Sequence, residues 1–535
     1  MFVRKKKNSS GSVSVQIIQK VNSKSKVVET VGCSKDEDEI EKLFLQGQER
    51  VKELEPNLFD VVQRNEQKQQ FLSISNDQIV PIGDELFFGK LFDEIWDKDI
   101  FRGLYKIKEK TELFKALVIS RILYPGSKLY LSDYLHYFKK EDISDESIYR
   151  FVDTIYKDEI KEKIEQAVFA HSLKKLDNKL VVSFYDVTTL HFESESEDDL
   201  RRIGFSKEGK LARPQIQLGL FTTLQGYPLS YEVFEGNRFE GNTLIDLLMH
   251  FQERFKLKEK PIVVADRGML NNNNLALLEN GGYRYILGAR IKNISHDIKE
   301  QIANVTFIND SATHEIPIAK TIKYKALDKQ GNEVQKQMDI KQRLILSYST
   351  KRAKKDNYLR QKALQRLEQK IKTSPSITKS DLKLSPYAKF LDTDNSCNIT
   401  FKLNKEKIKA DEKLDGIKGF LSNDDKLKHH QIIEHYQNLW HIEKAFRISK
   451  TDLQIRPIYH RLQNRIKSHI LISFVSYAIY REFEIKTRNI KQDYKISNKI
   501  LRDLIKHVFA FNIDGKLIPT KLSKIQQDFY DALNS

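Results

Sequence analysis

Two aspartates stand directly after runs that read as buried strands: Asp186 follows SFY, and Asp266 follows PIVVA. Carboxylates at strand ends lie at the edge of an open α/β sheet, where ligand sites form. A buried strand rarely ends in a bare carboxylate without a partner. Either aspartate alone also fits a helix N-cap or a turn; two such ends in one sheet favour a site. A third group lies in 436–450, where Tyr436, Glu443 and Lys450 are seven residues apart. Seven residues make nearly two helical turns, so on a continuous helix the three share one stripe, drifting about 20° per step. Leu439 falls on that stripe, while Ile442, Phe446 and Ile448 point towards a core. On spacing alone, a solvated face with weak pairings fits the stripe better.

The elements that must position these groups follow from hydrophobic pattern. Compact strands read at 179–185 (KLVVSFY), 215–222 (QIQLGLFT) and 228–234 (PLSYEVF), with helical spacing at 242–255. Short apolar strands follow at 261–265 and 284–289 (RYILGA). Three strands, a helix and then buried strands describe a mixed α/β sheet. Upstream, 11–31 alternates like a β-hairpin, 35–54 is helical, and 85–175 is helical with an apolar cluster at 113–124. From 291 to about 425 the chain turns irregular and polar, with a strand at 343–349 and a basic helix at 351–372. That helix has nine Lys/Arg against Asp356 and Glu368. The α/β pattern returns at Gly419-Phe420-Leu421, and a long helical region runs from His429 to Tyr480.

The whole chain has 535 residues, 91 Lys+Arg against 74 Asp+Glu, and a net charge of +17. Hydrophobic residues make up 40%, enough for a real core and against wholesale disorder. A strong positive excess suits a polyanion, although solubility explains it as well. The two cysteines, Cys33 and Cys397, are far apart and outside any CxxC pair, which fits a reducing cytoplasm. The basic N-terminus has no apolar run after it, so it does not read as a signal peptide. The run 470–480 (ILISFVSYAIY) is about half the roughly 20 residues that span a bilayer and reads as a buried helix. With no membrane segment expected, the polyanion is DNA or RNA.

In order, Asp186-Val187-Thr188-Thr189, Ala265-Asp266-Arg267-Gly268 and Tyr436…Glu443…Lys450 resemble the DDE transposases of bacterial insertion sequences. More narrowly, they resemble the group with the helix pattern Y-x2-R-x3-E-x6-K. Similarity extends through 453–470 and the N-terminal 4–15, so it covers most of the chain. The resemblance implies an α/β fold: a ribonuclease-H-like catalytic domain interrupted by a β-rich insertion, with an α-helical N-terminal region and a helical C-terminus. It implies a catalytic triad of Asp186, Asp266 and Glu443 holding two Mg²⁺ ions, with Mn²⁺ as a substitute. Mg²⁺ favours hard oxygen ligands, and a metal pair suits in-line phosphoryl transfer. Water would first release a 3′-OH at the element end, and that 3′-OH would then attack target DNA. The partners implied are double-stranded DNA, as terminal inverted repeats and target, and a second copy of the chain on that DNA. The setting implied is a prokaryotic cytoplasm, at the nucleoid.

On this reading the chain divides into a small N-terminal domain (1–75), a helical region for DNA-end recognition (76–175), the first part of the catalytic domain (176–290), an insertion (291–417), the return of the catalytic domain (418–482) and a helical C-terminus (483–535). The 177 positions from Asp266 to Glu443, against 80 from Asp186 to Asp266, leave room for that insertion. By resemblance, Tyr436 and Lys450 contact DNA phosphate near the cleaved end, and Arg267 adjoins it. Leu439 replaces the pattern's arginine and cannot make a bidentate phosphate contact. Lys444 or Arg447 would supply that charge instead, which leaves open whether a hairpin intermediate forms. Further DNA contacts are expected from Lys351, Arg352, Lys354 and Lys355 in the basic helix and from Arg456 and Arg461. The latter pair, with Arg465 and Lys467, also fits simple solvation of a helix that buries Leu462, Ile466 and Ile470. His429, His430, Glu434, His435 and His441 match neither zinc pattern, HExxH or HxxEH. No GxxxxGK[ST] loop is present for ATP. Two rivals share the fold: a metal-dependent nuclease without strand transfer, and an inactive DNA-binding descendant.

Overall fold

The computed structural model describes residues 1–21, 24–54, 75–96, 100–176, 180–204, 213–238, 243–257, 259–310, 312–327, 332–373, 388–393 and 401–534. Lys179, Cys397 and the turn residues Asn22 and Ser23 of the expected hairpin lie outside them. The chain forms two compact units, Met1–Val80 with Ala510–Ile518, and Pro81–Phe509 with Pro519–Ser535.

In the first unit β1 (Phe2–Lys7), β2 (Val13–Val21) and β3 (Lys24–Ser34) make an antiparallel meander. The expected hairpin is β2–β3, and the basic run before it adds a third strand. Helix α1 (Glu37–Leu54) packs on this sheet, where Ile40 of the helix and Val15, Ile17 and Ile18 of β2 are buried. Asp36 caps it by accepting the Glu39 amide, and acids fill the first turn, where the helix dipole favours them.

The second unit is built on one eight-stranded sheet. Its strands are β4 (Val182–His191), β5 (Gln215–Thr223), β6 (Pro228–Glu235), β7 (Ile262–Ala265), β8 (Tyr285–Gly288), β9 (Thr313–Leu327), β10 (Glu333–Tyr348) and β11 (Ile417–Ser422). Their order is β9-β10-β11-β8-β7-β4-β5-β6. β4, β5 and β6 form an antiparallel meander, while β4, β7 and β8 run parallel. Parallel strands need crossovers, and those crossovers cover the sheet. The helices upstream of the sheet are α2 (Ile107–Leu123), α3 (Lys128–Tyr134), α4 (Asp145–Ile155) and α5 (Asp158–Lys174). The crossovers of the sheet itself are α6 (Thr243–Phe255) and α7 (Asn272–Asn280). Beyond them come α8 (Thr350–Thr373), α9 (His429–Gln437), α10 (Trp440–Arg447) and α11 (Gln463–Lys486).

Strand alternation sorts the side chains into two cores. Val182, Phe184, Ile262, Val264 and Ile286 face one core with Ile432, Ile442 and Phe446. Tyr185, Val187, Val263, Ala265 and Tyr285 face the other with Leu247 and Phe251 of α6 and Leu275 of α7. The apolar run 470–480 is a buried stretch of α11, as its length suggests, and α11 is buried almost all round.

Four expectations need correction. Asp186 is not the end of its strand, because β4 continues to His191 along its antiparallel partner β5. The strand expected at 343–349 is the end of the longer β10, whose hairpin with β9 joins the main sheet through β11. The C-terminal stretch expected to be helical also contains the strands Phe509–Ile513 and Lys516–Pro519, in a small sheet with Ile79–Pro81. Within the helical region expected from His429 to Tyr480, the one helix read over 436–450 is broken into α9, α10 and a π-turn at Ile448–Asp452, with α11 following.

Polar anchors tie α11 to its surroundings. The Tyr477 hydroxyl donates to the Gly226 carbonyl at 2.8 Å, and Arg481 Nε donates to the Gln225 carbonyl at 2.8 Å. Gly226 has φ +78°, the left-handed conformation that this turn between β5 and β6 requires. Buried Glu482 accepts from Tyr227 Oη at 2.6 Å and Lys175 Nζ at 2.8 Å, with His171 Nε2 at 3.8 Å. Burial alone would raise its pKa, but these partners outweigh burial and bring it down to about 2. The ionised form therefore favours the folded chain above pH 4.5, a contribution lost as pH falls towards 2. Glu482→Gln should cost about 3 kcal/mol at neutral pH, leaving Lys175 without its counter-charge. Chemical denaturation across that acid range should show a flatter pH dependence than in the parent chain.

Candidate active site

Register brings the two aspartates together. Tyr185 on β4 pairs with Ala265 on β7 in parallel, so the next residues, Asp186 and Asp266, stand side by side. Neighbouring strands lie about 5 Å apart. By alternation both aspartates share the face of Phe184 and Val264, against which α9 and α10 pack. At this point β7 ends and β4 continues, so Asp266 leaves the sheet into a short turn, Arg267–Met269. Asp186 Oδ1 accepts the Val187 amide at 2.8 Å.

The helices supply the remaining groups. Tyr436, near the end of α9, sets its ring edge-on to Phe420 and donates its hydroxyl to Asp266 Oδ1 at 2.9 Å. Burial raises the phenol pKa, and the Asp266 charge raises it further, so the group stays a donor. The hydroxyl expected on a DNA phosphate donates here to Asp266. Glu443 is exposed on α10, which packs against β4, and its carboxylate has no hydrogen bond or ion pair among the described residues.

The break between α9 and α10 changes the stripe. Leu439, His441 and Ile442 bond back three residues, to Tyr436, Asn438 and Leu439. Three-residue turns advance about 120° per residue rather than 100°, which rotates α10 relative to α9. Leu439 is accordingly buried in the same core as Ile442 and Phe446, not on the stripe where even spacing places it. The position of the pattern's arginine is here a core position.

The expected DNA contacts divide into several environments. Lys444 is paired with Glu484 at 2.6 Å, so its charge is compensated. Arg447 and Arg461 are exposed, and Arg267 is exposed beside Asp266; none of the three side chains has a hydrogen bond or ion pair among the described residues. Lys450 lies half-buried on the π-turn after α10. Lys351, Arg352 and Lys355 in the first turns of α8 line a cleft of about 680 Å³ with His430, Glu434 and Gln437 of α9. Lys354 is exposed on the same turns, and Arg352 has Asp356 at 3.5 Å. Further along α8, Arg360 is buried and bonded to Asp415 at 2.6 and 2.7 Å, so it contributes to the fold rather than to a basic surface. Arg465 makes a two-pronged bond to Asp153, and Lys467 bonds to the Tyr156 hydroxyl. Leu462, expected in a helix core, is exposed just before α11 begins. Of the histidines, His429 bonds to Glu315 at 2.7 Å and so holds α9 to β9. His441 is pushed down to about 4 by burial, then by Arg481 and Lys444, and so is neutral near pH 7.

Among the described residues, no three His, Cys, Asp or Glu side chains gather as a ready-made metal cage. Mg²⁺ does not need one, since it binds through one or two carboxylates and completes its shell with water and substrate phosphate. The adjacent oxygen donors of Asp186 and Asp266 fit that demand. Sequence reasoning missed Gly288, the last residue of β8. A Cβ there would collide with the Tyr436 hydroxyl and lie 3.0 Å from Cζ of the same ring. A glycine closing a buried strand is a signal of close approach. Gly288→Ala should cost about 1–3 kcal/mol by overpacking. In a Tyr436→Phe background the same change should cost clearly less, which a double-mutant cycle of unfolding free energies measures.

The family described as "Transposase DDE domain" matches residues 177–479, which is more than half the chain. No curated protein matches. Among solved structures, a cryo-EM structure of the piggyBac transposase synaptic complex with hairpin DNA is similar at 10% identity and a TM-score of 0.37, over 84% of this chain and 80% of that one. Among the described residues no helix is long and apolar enough to cross a membrane. The match spans β4 to most of α11, including both aspartates and the helices that face them, and the chain belongs to the transposase DDE-domain family.

Proposed function

We propose that the chain is an insertion-sequence transposase that cleaves the element ends and joins the freed 3′-OH to target DNA. The observation that supports this most is the register of β4 on β7, which puts Asp186 beside Asp266 with Tyr436 bonded to the second. The core order β6-β5-β4-β7-β8, an antiparallel meander followed by parallel strands, supports a ribonuclease-H-like catalytic domain. On this reading the β9–β10 hairpin and α8 are the insertion.

Asp186, Asp266 and Glu443 would hold two divalent ions, Mg²⁺ or Mn²⁺. When bound, such ions activate the attacking oxygen and stabilise the leaving one. Tyr436 is a positioning residue: its hydroxyl fixes one Asp266 oxygen and leaves the other for the ligand. Glu443, exposed and unpaired among the described residues, is free to complete the site when substrate arrives. Lys351, Arg352 and Lys355 line the cleft next to α9, and with Lys354 on the same turns they would follow the phosphate backbone of double-stranded DNA. Arg267, Arg447, Lys450, Arg456 and Arg461 would add charge elsewhere along the DNA. A pair of copies on two DNA ends, in a prokaryotic cytoplasm at the nucleoid, completes the reading.

Purified protein incubated with Mg²⁺, a labelled element end and a target plasmid should give cleavage and then joined product. Cleavage without joining would instead identify a nuclease. Asp186→Asn, Asp266→Asn and Glu443→Gln should each reduce cleavage about 10³-fold or more, on the order of 4 kcal/mol, with end binding retained. Full cleavage by any one of them removes that residue from the site. Replacing Lys351, Lys354 and Lys355 with glutamine should weaken DNA binding and lower its salt slope by about 0.9 for each phosphate no longer neutralised.

A further inference from the structure

A second cationic site lies where α2, α3 and the 454–460 loop meet α11. It is a cavity of about 370 Å³ whose lining includes Arg121, Lys128, Arg456, His460 and His469, and no carboxylate. Arg121 and Lys128 are only 5% and 3% exposed. Arg121 reaches the Gln454 carbonyl at 3.5 Å and His469 Nδ1 at 3.3 Å. His469 Nε2 is 2.9 Å from the Ile455 carbonyl, so that nitrogen bears the proton and Nδ1 accepts from Arg121. The Lys128 ammonium has no hydrogen bond or ion pair among the described residues. The carboxylate nearby, Asp153, is engaged by both prongs of Arg465.

A buried ammonium beside a buried guanidinium, without a counter-ion, is costly. Burial, and then the Arg121 charge, push Lys128 well below the ordinary lysine range, and burial brings Arg121 down to about 10. An anion in the cavity relieves all of this at once. The donors offered to a ligand are the Lys128 and Arg121 cations, Arg456 and the His460 imidazole, a set suited to the oxygens of a phosphate. The cavity also has an address. The Ile458 amide bonds to the His191 carbonyl at 3.3 Å, at the end of β4, the strand that carries Asp186. Five residues of strand span roughly 17 Å, which a DNA strand bridges in a few nucleotides.

We propose that this cavity is a phosphate-binding site that takes one backbone phosphate of the DNA substrate a few nucleotides from the point of cleavage. The proposal rests on the transposase reading above and adds Lys128 and Arg121 to the residues that hold DNA.

The test uses the full chain and a short fluorescent duplex, with binding followed across a salt series for the parent, Lys128→Met and Arg456→Gln. Each variant should bind several-fold more weakly, with a salt slope lower by about 0.9. Thermal unfolding separates this from a structural role: Lys128→Met should melt no lower than the parent, since it removes an unpaired buried charge. Inorganic phosphate should raise the melting temperature of the parent and leave that of Lys128→Met unchanged. Unchanged slopes in both variants overturn the proposal. Phosphate stabilisation with unchanged slopes also overturns it, by making the site one for a free anion. If Lys128→Met does not fold, the slope of Arg456→Gln decides alone. A parent chain that binds no duplex overturns both this site and the transposase reading, whereas Asp186-dependent cleavage with unaltered variant slopes overturns this site only.

Discussion

The parallel pairing of β4 with β7 is the constraint on which the rest of the second unit depends. Parallel neighbours cannot be joined by a tight turn, so the chain must leave the sheet and return, and α6 does this between β6 and β7. That crossover covers one face, and α9 to α11 cover the other. Once both faces are covered, β7 and β8 must be apolar throughout, and IVVA and YILG are buried at every position. A carboxylate can enter such a structure only where the apolar run stops. Asp266 is that stop, and Asp186 is its lateral neighbour on the strand that goes on.

The helical face is positioned by fewer, more specific contacts. Tyr477 and Arg481 hold α11 to the β5–β6 turn, and Lys444 links α10 to α11 through Glu484. Tyr436 then crosses the bare backbone of Gly288 to reach Asp266. A chain of polar contacts within packed helices thus sets where the exposed Glu443 stands relative to the aspartates. Small rotations in that chain move Glu443 more than they move either aspartate, since the aspartates belong to the sheet itself.

Legibility follows the range of the forces involved. The meander, the crossover helix and the short buried strands are readable because period-two alternation and continuous apolar runs are local signals. Both aspartates are readable as breaks in those runs. The course of the chain from Tyr436 to Ile448 is not, because three-residue hydrogen bonds at 438–442 rotate the helix without altering composition. Even spacing therefore puts Leu439 on the stripe although it belongs to the core. The β9–β10 hairpin reads as irregular because much of its length is solvated and alternates weakly. Arg360 counts towards a basic surface in composition, whereas in space it is surrounded by Asp411, Glu412 and Asp415. Ion pairs between distant segments leave no periodic trace.

The run of asparagines at 271–274 has a consequence for the border of the sheet. β9 is the outermost strand on its side, and an outermost strand offers unsatisfied amides and carbonyls to any other chain. Asn273 accepts the Lys325 amide, and Asn272 donates to the Lys323 carbonyl, so two side chains imitate the next strand for one stretch. Pro317 removes an amide further along, and Lys320, Lys323 and Lys325 place charge on the rim. This edge of the sheet is therefore guarded against recruitment of a further strand. On the proposed reading, in which two copies meet on DNA, an edge that does not pair sheet to sheet leaves the copies to meet by way of the nucleic acid.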